Sequence, residues 1–138
     1  MITYKHEITA EDYNNMRLAV GWRTLDPIQA DTGLKNSAYL VSAWDGKMPI
    51  GMARVISDGG YMNLIVDVMV MPDYQGQGIG RQMLENINSW LDALGENGNC
   101  IMVNLMATIG NEGFYEKLGF EARPNDRMGS GMVRWINP

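Results

Sequence analysis

Val66-Asp67-Val68-Met69-Val70-Met71-Pro72-Asp73-Tyr74-Gln75-Gly76-Gln77-Gly78-Ile79-Gly80-Arg81 decides how the rest of the chain is read: an apolar strand enters a glycine-spaced turn and leaves it as an amphipathic helix. Gly76, Gly78 and Gly80 let the backbone turn tightly with its N–H groups directed inward. A helix beginning near Gly78 adds unpaired N–H groups and the positive end of its dipole. Such a loop is a cradle for an anion.

Spacing excludes two common phosphate-binding patterns. A dinucleotide-binding G-x-G-x-x-G starting at Gly76 requires glycine where Arg81 stands, and no acidic residue ends a second strand about 20 residues on. A P-loop requires Gly-Lys-Ser/Thr five residues after its first glycine, yet Gly76 is followed there by Arg81 and Gln82.

Outward from the loop, Ile79, Met83, Leu84, Ile87, Trp90, Leu91 and Leu94 fall on one face at helical spacing, and Gly95 and Gly98 end the pattern. Cys100 to Met106 reads as a buried strand, parallel to Tyr61–Val70 across a right-handed crossover. Upstream, Ile2 to Ile8 reads as a first strand. Thr9 reads as the cap of a helix reaching about Val20, and Asp26-Pro27 as the cap and first residue of a second helix reaching about Lys35. Ala38–Trp44 and Met48–Ser57 flank Asp45-Gly46, a hairpin signal, and Asp58-Gly59-Gly60 marks the next reversal. Downstream, a short helix from about Asn111 to Leu118 is stopped by Gly119, and Phe120 and Met132–Ile136 read as further short strands.

The chain of 138 residues has room for one core, so residues 1–138 are expected to form a single domain. A net charge of −5 and a pI near 4.7 argue against a nucleic-acid partner, since phosphate backbones demand a basic face. No apolar run approaches the ~18–20 residues of a membrane span, and the start lacks a signal-peptide core, so no membrane association and a cytoplasmic location are expected. Cys100, the single cysteine, is read as a buried small hydrophobe, and a reducing compartment follows. The twelve methionines are read as core fillers. There is no His or Cys pair at ligand spacing, so no metal is expected.

Gln75-x-x-Gly78-x-Gly80 resembles the Q/R-x-x-G-x-G/A motif of the GNAT N-acetyltransferase superfamily, in which loop amides hold the pyrophosphate of coenzyme A. A second segment, Gly113-Phe114-Tyr115-Glu116-Lys117-Leu118-Gly119-Phe120, is similar to the superfamily's C-terminal F-Y-x-K-x-G-F run, whose tyrosine faces the coenzyme sulfur. The two stand in the expected order, 35 residues separating Gly80 from Tyr115. The element order is similar to the GNAT fold over essentially the whole chain. The resemblance implies an α/β (α+β) GNAT-like domain with a central mixed sheet of about six to seven strands and four helices, an antiparallel meander followed by a β-α-β crossover.

It further implies acetyl-CoA as co-substrate and transfer to a primary amine, with a small molecule as the expected acceptor and a peptide or protein amine as the subordinate version. Main-chain groups of Val68, Met69 and Val70 would align the pantetheine and thioester. Gln75, Gly76, Gln77, Gly78, Ile79, Gly80 and Arg81 would hold the pyrophosphate, with Phe114 beside the coenzyme. Tyr115 would be the general acid to the leaving thiolate, whose thiol pKa of about 8.5 lies below that of tyrosine. Asn104, one polar side chain in an apolar strand, is a candidate for water or the pantetheine amide.

The base is where the sequence departs from the family pattern. Many members carry Glu or His on this strand at the position of Val66 here. Asp67 points to the opposite face by alternation unless a bulge intervenes, and is read as a structural, hydrogen-bonding carboxylate. His6 is read as structural. A water chain or an amine arriving neutral suffices for attack. The vacancy at Val66 motivates the competing reading, an acyl-CoA-binding or sensing module without turnover. For the acceptor, the resemblance points to Trp22-Arg23-Thr24-Leu25, with Trp22 and Arg23 foremost, to Asp58-Gly59-Gly60-Tyr61, with Tyr61 foremost, and to Arg123-Pro124-Asn125. Exposed strand edges at the C-terminal end offer pairing between subunits, as in many relatives, and make a homodimer a further expectation.

Overall fold

A computed structural model describes residues 1–138, whose contacts fall into two compact units, Met1–Leu105 and Met106–Pro138. In the first unit the chain runs β1 (Ile2–Lys5), α1 (Ala10–Ala19), α2 (Pro27–Lys35), β2 (Tyr39–Asp45), β3 (Met48–Ser57), β4 (Met62–Val70), a 3-10 turn (Pro72–Tyr74), α3 (Ile79–Leu94) and β5 (Met102–Leu105). The sheet order is β1-β2-β3-β4-β5, antiparallel through β4 and parallel between β4 and β5. This is the mixed-sheet, GNAT-like α/β architecture expected from the sequence, with four helices in the whole chain but five strands rather than six or seven.

Local chemistry sets the helix starts. Thr9 accepts the Asp12 amide on its hydroxyl, with Glu11 and Asp12 in the first turn, and Asp26 accepts the amides of Ile28 and Gln29 ahead of Pro27. α1 and α2 pack together on one face, burying Tyr13, Met16, Ala30 and Leu34 against Leu40, Met52 and Met69. α3 lies on β2 and β3, with Met83, Leu84 and Ile87 fully buried. Helices on both faces explain why β2 and β3 are buried almost continuously rather than at alternate residues. Gly51 marks a close approach: a Cβ there would stand 3.0 Å from the Met69 carbonyl and 3.2 Å from Met83 Cε.

The second unit holds α4 (Glu112–Glu116), stopped by Gly119 in a left-handed conformation, φ +95. The amides of Leu118 and Phe120 both donate to the Tyr115 carbonyl. Beyond it, Asn125 accepts the amides of Arg127 and Met128 on its side chain, Arg123 Nε donates to the Gly129 carbonyl, and Arg127 pairs with Glu121.

Two sequence expectations are corrected. Phe120 and Met132–Ile136 form no strands: this unit contains no strand edge, and an apolar run cannot hold extended pairing alone, so Met132 and Trp135 stay 92% and 73% exposed. Cys100 is exposed rather than buried, because β5 begins only at Met102. No helix is long and apolar enough to cross a membrane.

Candidate functional site

β4 is the element from which the site is built. Its ladder with β5 covers Met62 to Ile65 only, so the main chain from Val66 to Val70 has a strand neighbour on the β3 side alone. On the β3 side the register slips: Arg54 pairs with Val66 and Met52 with Met69, so Ala53 stands opposite both Asp67 and Val68. This β-bulge places Asp67 at φ +54, a left-handed conformation that costs a non-glycine residue about 1–2 kcal/mol.

Past Val70 the chain is braced. The Met71 amide donates to the Ile50 carbonyl, and Tyr74 donates from its hydroxyl to Asp45 at 2.8 Å, anchoring the 3-10 turn to the β2–β3 hairpin. Gln75 Nε2 donates to the Val70 carbonyl at 3.0 Å, and Gln77 Nε2 to the Asp73 carbonyl. Gly76 and Gly78 have φ +76 and +82, and a Cβ at either would meet no atom within 4 Å, so backbone conformation rather than crowding selects glycine. Gly78 caps α3 without a side-chain hydrogen bond. The first helical bond runs from the Gln82 amide to the Gly78 carbonyl, which leaves Ile79, Gly80 and Arg81 N–H without helical acceptors. These amides on a braced loop fit a pyrophosphate. Ile79 is buried under the loop, and Arg81 pairs with Glu85 along the exposed helix face at 2.9 Å.

The other predicted residues are dispersed. Val68, Met69 and Val70 occupy the single-sided stretch of β4, with the Met69 side chain buried in the α1–α2 core. Asn104 lies on β5 opposite Leu64, its amide directed to the Met62 thioether at 3.5 Å. Trp22 is half-buried on the α1–α2 linker, and exposed Arg23 offers its carbonyl to Arg17 Nε at 2.6 Å. Tyr61 precedes the opposite end of β4, about 23 Å from Val68 at roughly 3.3 Å per strand residue. In the second unit Tyr115 is buried, edge-on to Phe114 at 5.0 Å and to Phe120 at 6.1 Å between ring centres. Burial raises its pKa above the ordinary phenol value, so its proton is held at neutral pH.

Sequence reasoning singles out Asp67 but not its partners. Its Oδ2 accepts from Tyr13 Oη at 2.8 Å and Arg54 Nε at 2.7 Å, and its Oδ1 lies 3.5 Å from an Arg17 guanidinium nitrogen. The one available signal was a lone carboxylate in an apolar strand, which demands cationic or hydrogen-bonding neighbours.

The cluster has a measurable pH signature. Desolvation first, then the Asp67 charge and hydrogen bond, raise the Tyr13 pKa, against smaller opposing effects of Arg17 and Arg54. The unfolded chain loses this phenolic proton near pH 10 while the folded chain keeps it. Stability is therefore independent of this group below pH 10 and falls as pH rises toward the folded pKa. Denaturant titrations are expected to show an alkaline loss of stability that becomes shallower in Tyr13→Phe.

Comparison with known proteins gives one answer. The family pattern described as "Acetyltransferase (GNAT) domain" matches residues 35–122. A structure from Staphylococcus aureus, described as "Probable Acetyltransferase", superimposes with a TM-score of 0.85 and 31% identity over 98% of this chain and 100% of its own. A GNAT family acetyltransferase of Streptococcus pneumoniae gives 0.74 and 31% over 99% and 97%. The "GCN5-related N-acetyltransferase 2, chloroplastic" of Arabidopsis thaliana is 34% identical over 86% of this chain, and the "Histone acetyltransferase TAP1" of Glycine max is 36% identical over 76%. The chain spans about half the length of these two curated relatives, 52% and 48%. A single-sided β4, a glycine-built amide loop and matches of this extent agree, and the chain belongs to the GNAT acetyltransferase family.

Proposed function

We propose that this GNAT domain moves the acetyl group of acetyl-CoA to a primary amine of a small molecule. The observation that carries the reading is the stretch Val66–Val70, paired on one side only and leading through the Pro72–Gly78 turn to the unpaired amides in the first turn of α3. The coenzyme supplies an acetyl group activated as a thioester. The amides of the Gln75–Arg81 loop bind its pyrophosphate, and main-chain groups of Val68, Met69 and Val70 orient the thioester carbonyl, where fixed dipoles act most strongly on developing charge. Tyr115 hands its proton to the departing sulfur, a role supported by its protonated, packed phenol. Asn104, with only a thioether partner, is free to meet the pantetheine, and Phe114 flanks it. No side-chain base is assigned; the amine is taken up neutral or loses its proton to water. Trp22 and Arg23 present an aromatic face and a cationic corner to the acceptor.

A protein amine is the second reading. It is favoured by the soybean relative named as a histone acetyltransferase and by the net charge of −5, which suits a basic partner. A homodimer is proposed on the exposed apolar run Met132–Ile136, and a cytoplasmic setting on the exposed, unpaired thiol of Cys100.

Acetyl-CoA at 100 times its dissociation constant is expected to add about 2.7 kcal/mol of stability, a Tm rise of about 10 °C for a chain of this size, with no rise from NAD or ATP. An unmoved Tm rejects the reading. Thiol release across small amines and a lysine-rich peptide then assigns the acceptor, and binding without release to any of them favours the sensing module.

A further inference from the structure

We propose that Asp67 is the positioning residue of the acetyl-transfer site, holding the β4 bulge open and tying it to the linker between α1 and α2. The inference rests on the acetyltransferase reading above.

The bulge is not self-supporting. Asp67 is a non-glycine residue at φ +54 inside a strand, a conformation that persists only where surroundings over-determine it. Here the surroundings are three donors on one carboxylate: the Tyr13 hydroxyl, Arg54 Nε and the Arg17 guanidinium. The Asp67 side chain is 12% exposed and the two arginines 15% and 13%. Two guanidinium groups thus share one anion, so the carboxylate is the group without which the cluster repels itself. Both of its oxygens are engaged, which suits a holder rather than a proton acceptor.

The clamp extends beyond the strand. Arg17 reaches the linker through the Arg23 carbonyl and lies between the rings of Tyr13 and Trp22, at 5.4 and 5.6 Å from their centres. Asn14 brackets the same linker by exchanging two hydrogen bonds with the Leu25 main chain, both 2.9 Å. Arg54 continues to the Gly33 carbonyl at 3.1 Å and Ser37 Oγ at 3.3 Å, beside the end of α2. One carboxylate therefore sets the main chain of Val68 and Met69 out of register with β3 and fixes the segment carrying Trp22 relative to it. Relaxing the clamp lets the bulge fall back toward regular pairing and turns the thioester-facing main chain away.

The test uses the full chain and [1-13C]acetyl-CoA. In the wild type, the infrared carbonyl band of the bound thioester is expected to lie below its solution position, because main-chain donors polarise it. In Asp67→Asn, which tolerates the same backbone conformation but lacks the charge, the band returns toward the solution value. With the amine that the panel identifies, kcat falls about 10- to 30-fold, while the KM for acetyl-CoA stays within about threefold. The shape of the pH–kcat profile is unchanged. Tyr13→Phe, which removes one bond and keeps the ring, gives the same changes at about 3- to 5-fold. Normal binding with an unmoved band and unchanged kcat in Asp67→Asn overturns the role. So does a profile that loses its acidic limb, which would make Asp67 the base. Should Asp67→Asn not fold, Tyr13→Phe decides by the same two readouts. Failure of the wild type to bind acetyl-CoA overturns the acetyltransferase reading, and this role with it.

Discussion

Tyr115→Phe is expected to lower kcat by about 100-fold, toward the lower end of the range for loss of a general acid, because a thiolate leaves more readily than an amine or alkoxide. The proposed proton donor is removed while the ring remains, so the edge-on contacts to Phe114 and Phe120 persist. The dissociation constant for acetyl-CoA and the Tm are expected to stay close to wild type. Steady-state kinetics combined with a binding isotherm check this split. A fall in affinity with kcat preserved would move Tyr115 from chemistry to binding. Equal rates in the two proteins would show that the sulfur leaves as a thiolate unaided, and would remove the acid from the proposed mechanism.

Arg54→Ala is expected to cost about 3–4 kcal/mol of folding stability, a Tm drop of roughly 12 °C at this chain length. Three acceptors each lose one donor at once: Asp67 Oδ2, the Gly33 carbonyl and Ser37 Oγ. The larger part of the cost is the carboxylate left largely buried with weaker compensation, so the effect should be strongly non-additive. Arg54→Ala combined with Asp67→Asn should lose clearly less than the sum of the single losses, as chemical denaturation of the four proteins in the cycle would measure. Additive losses would show that Arg54 matters through its contacts at the end of α2 and that its bond to Asp67 contributes little.

Features encoded within a few neighbouring residues were legible before any coordinates. The capping of α1 by Thr9 and of α2 by Asp26 follows from side chains reaching amides two or three positions on. The buried face of α3 follows from helical spacing, and the left-handed Gly78 from the demand of a tight turn. Two features that depend on distant partners were not legible. Met132–Ile136 has the composition of a strand, yet a strand is a relation between two segments and its own unit supplies no edge. The cluster around Asp67 joins residues 13, 50 and 54 positions apart, brought together by the seating of α1 on β3 and β4. The amide loop could therefore be read from one stretch of sequence. The clamp beside it could not, since no single stretch contains more than one strand or helix of it.

The strand order β1-β2-β3-β4-β5 repeats the order of the chain, and this bears on how the sheet assembles. No strand has to be inserted between two already paired, so the β2–β3 and β3–β4 hairpins close as soon as their second strand is available, with short-range contacts favouring speed, whereas β1 reaches β2 only across α1 and α2. The seam between β4 and β5 is different. Closing it pairs residues about 40 positions apart, at roughly 2 kcal/mol more chain entropy than a hairpin by the logarithmic growth of that cost. Only four residue pairs, Met62–Met102 to Ile65–Leu105, hold the seam directly. The docking of Met83, Leu84 and Ile87 onto the finished meander must supply the rest. The parallel edge thus leans on α3, whereas the bulged strand β4 has its antiparallel neighbour β3 within one hairpin.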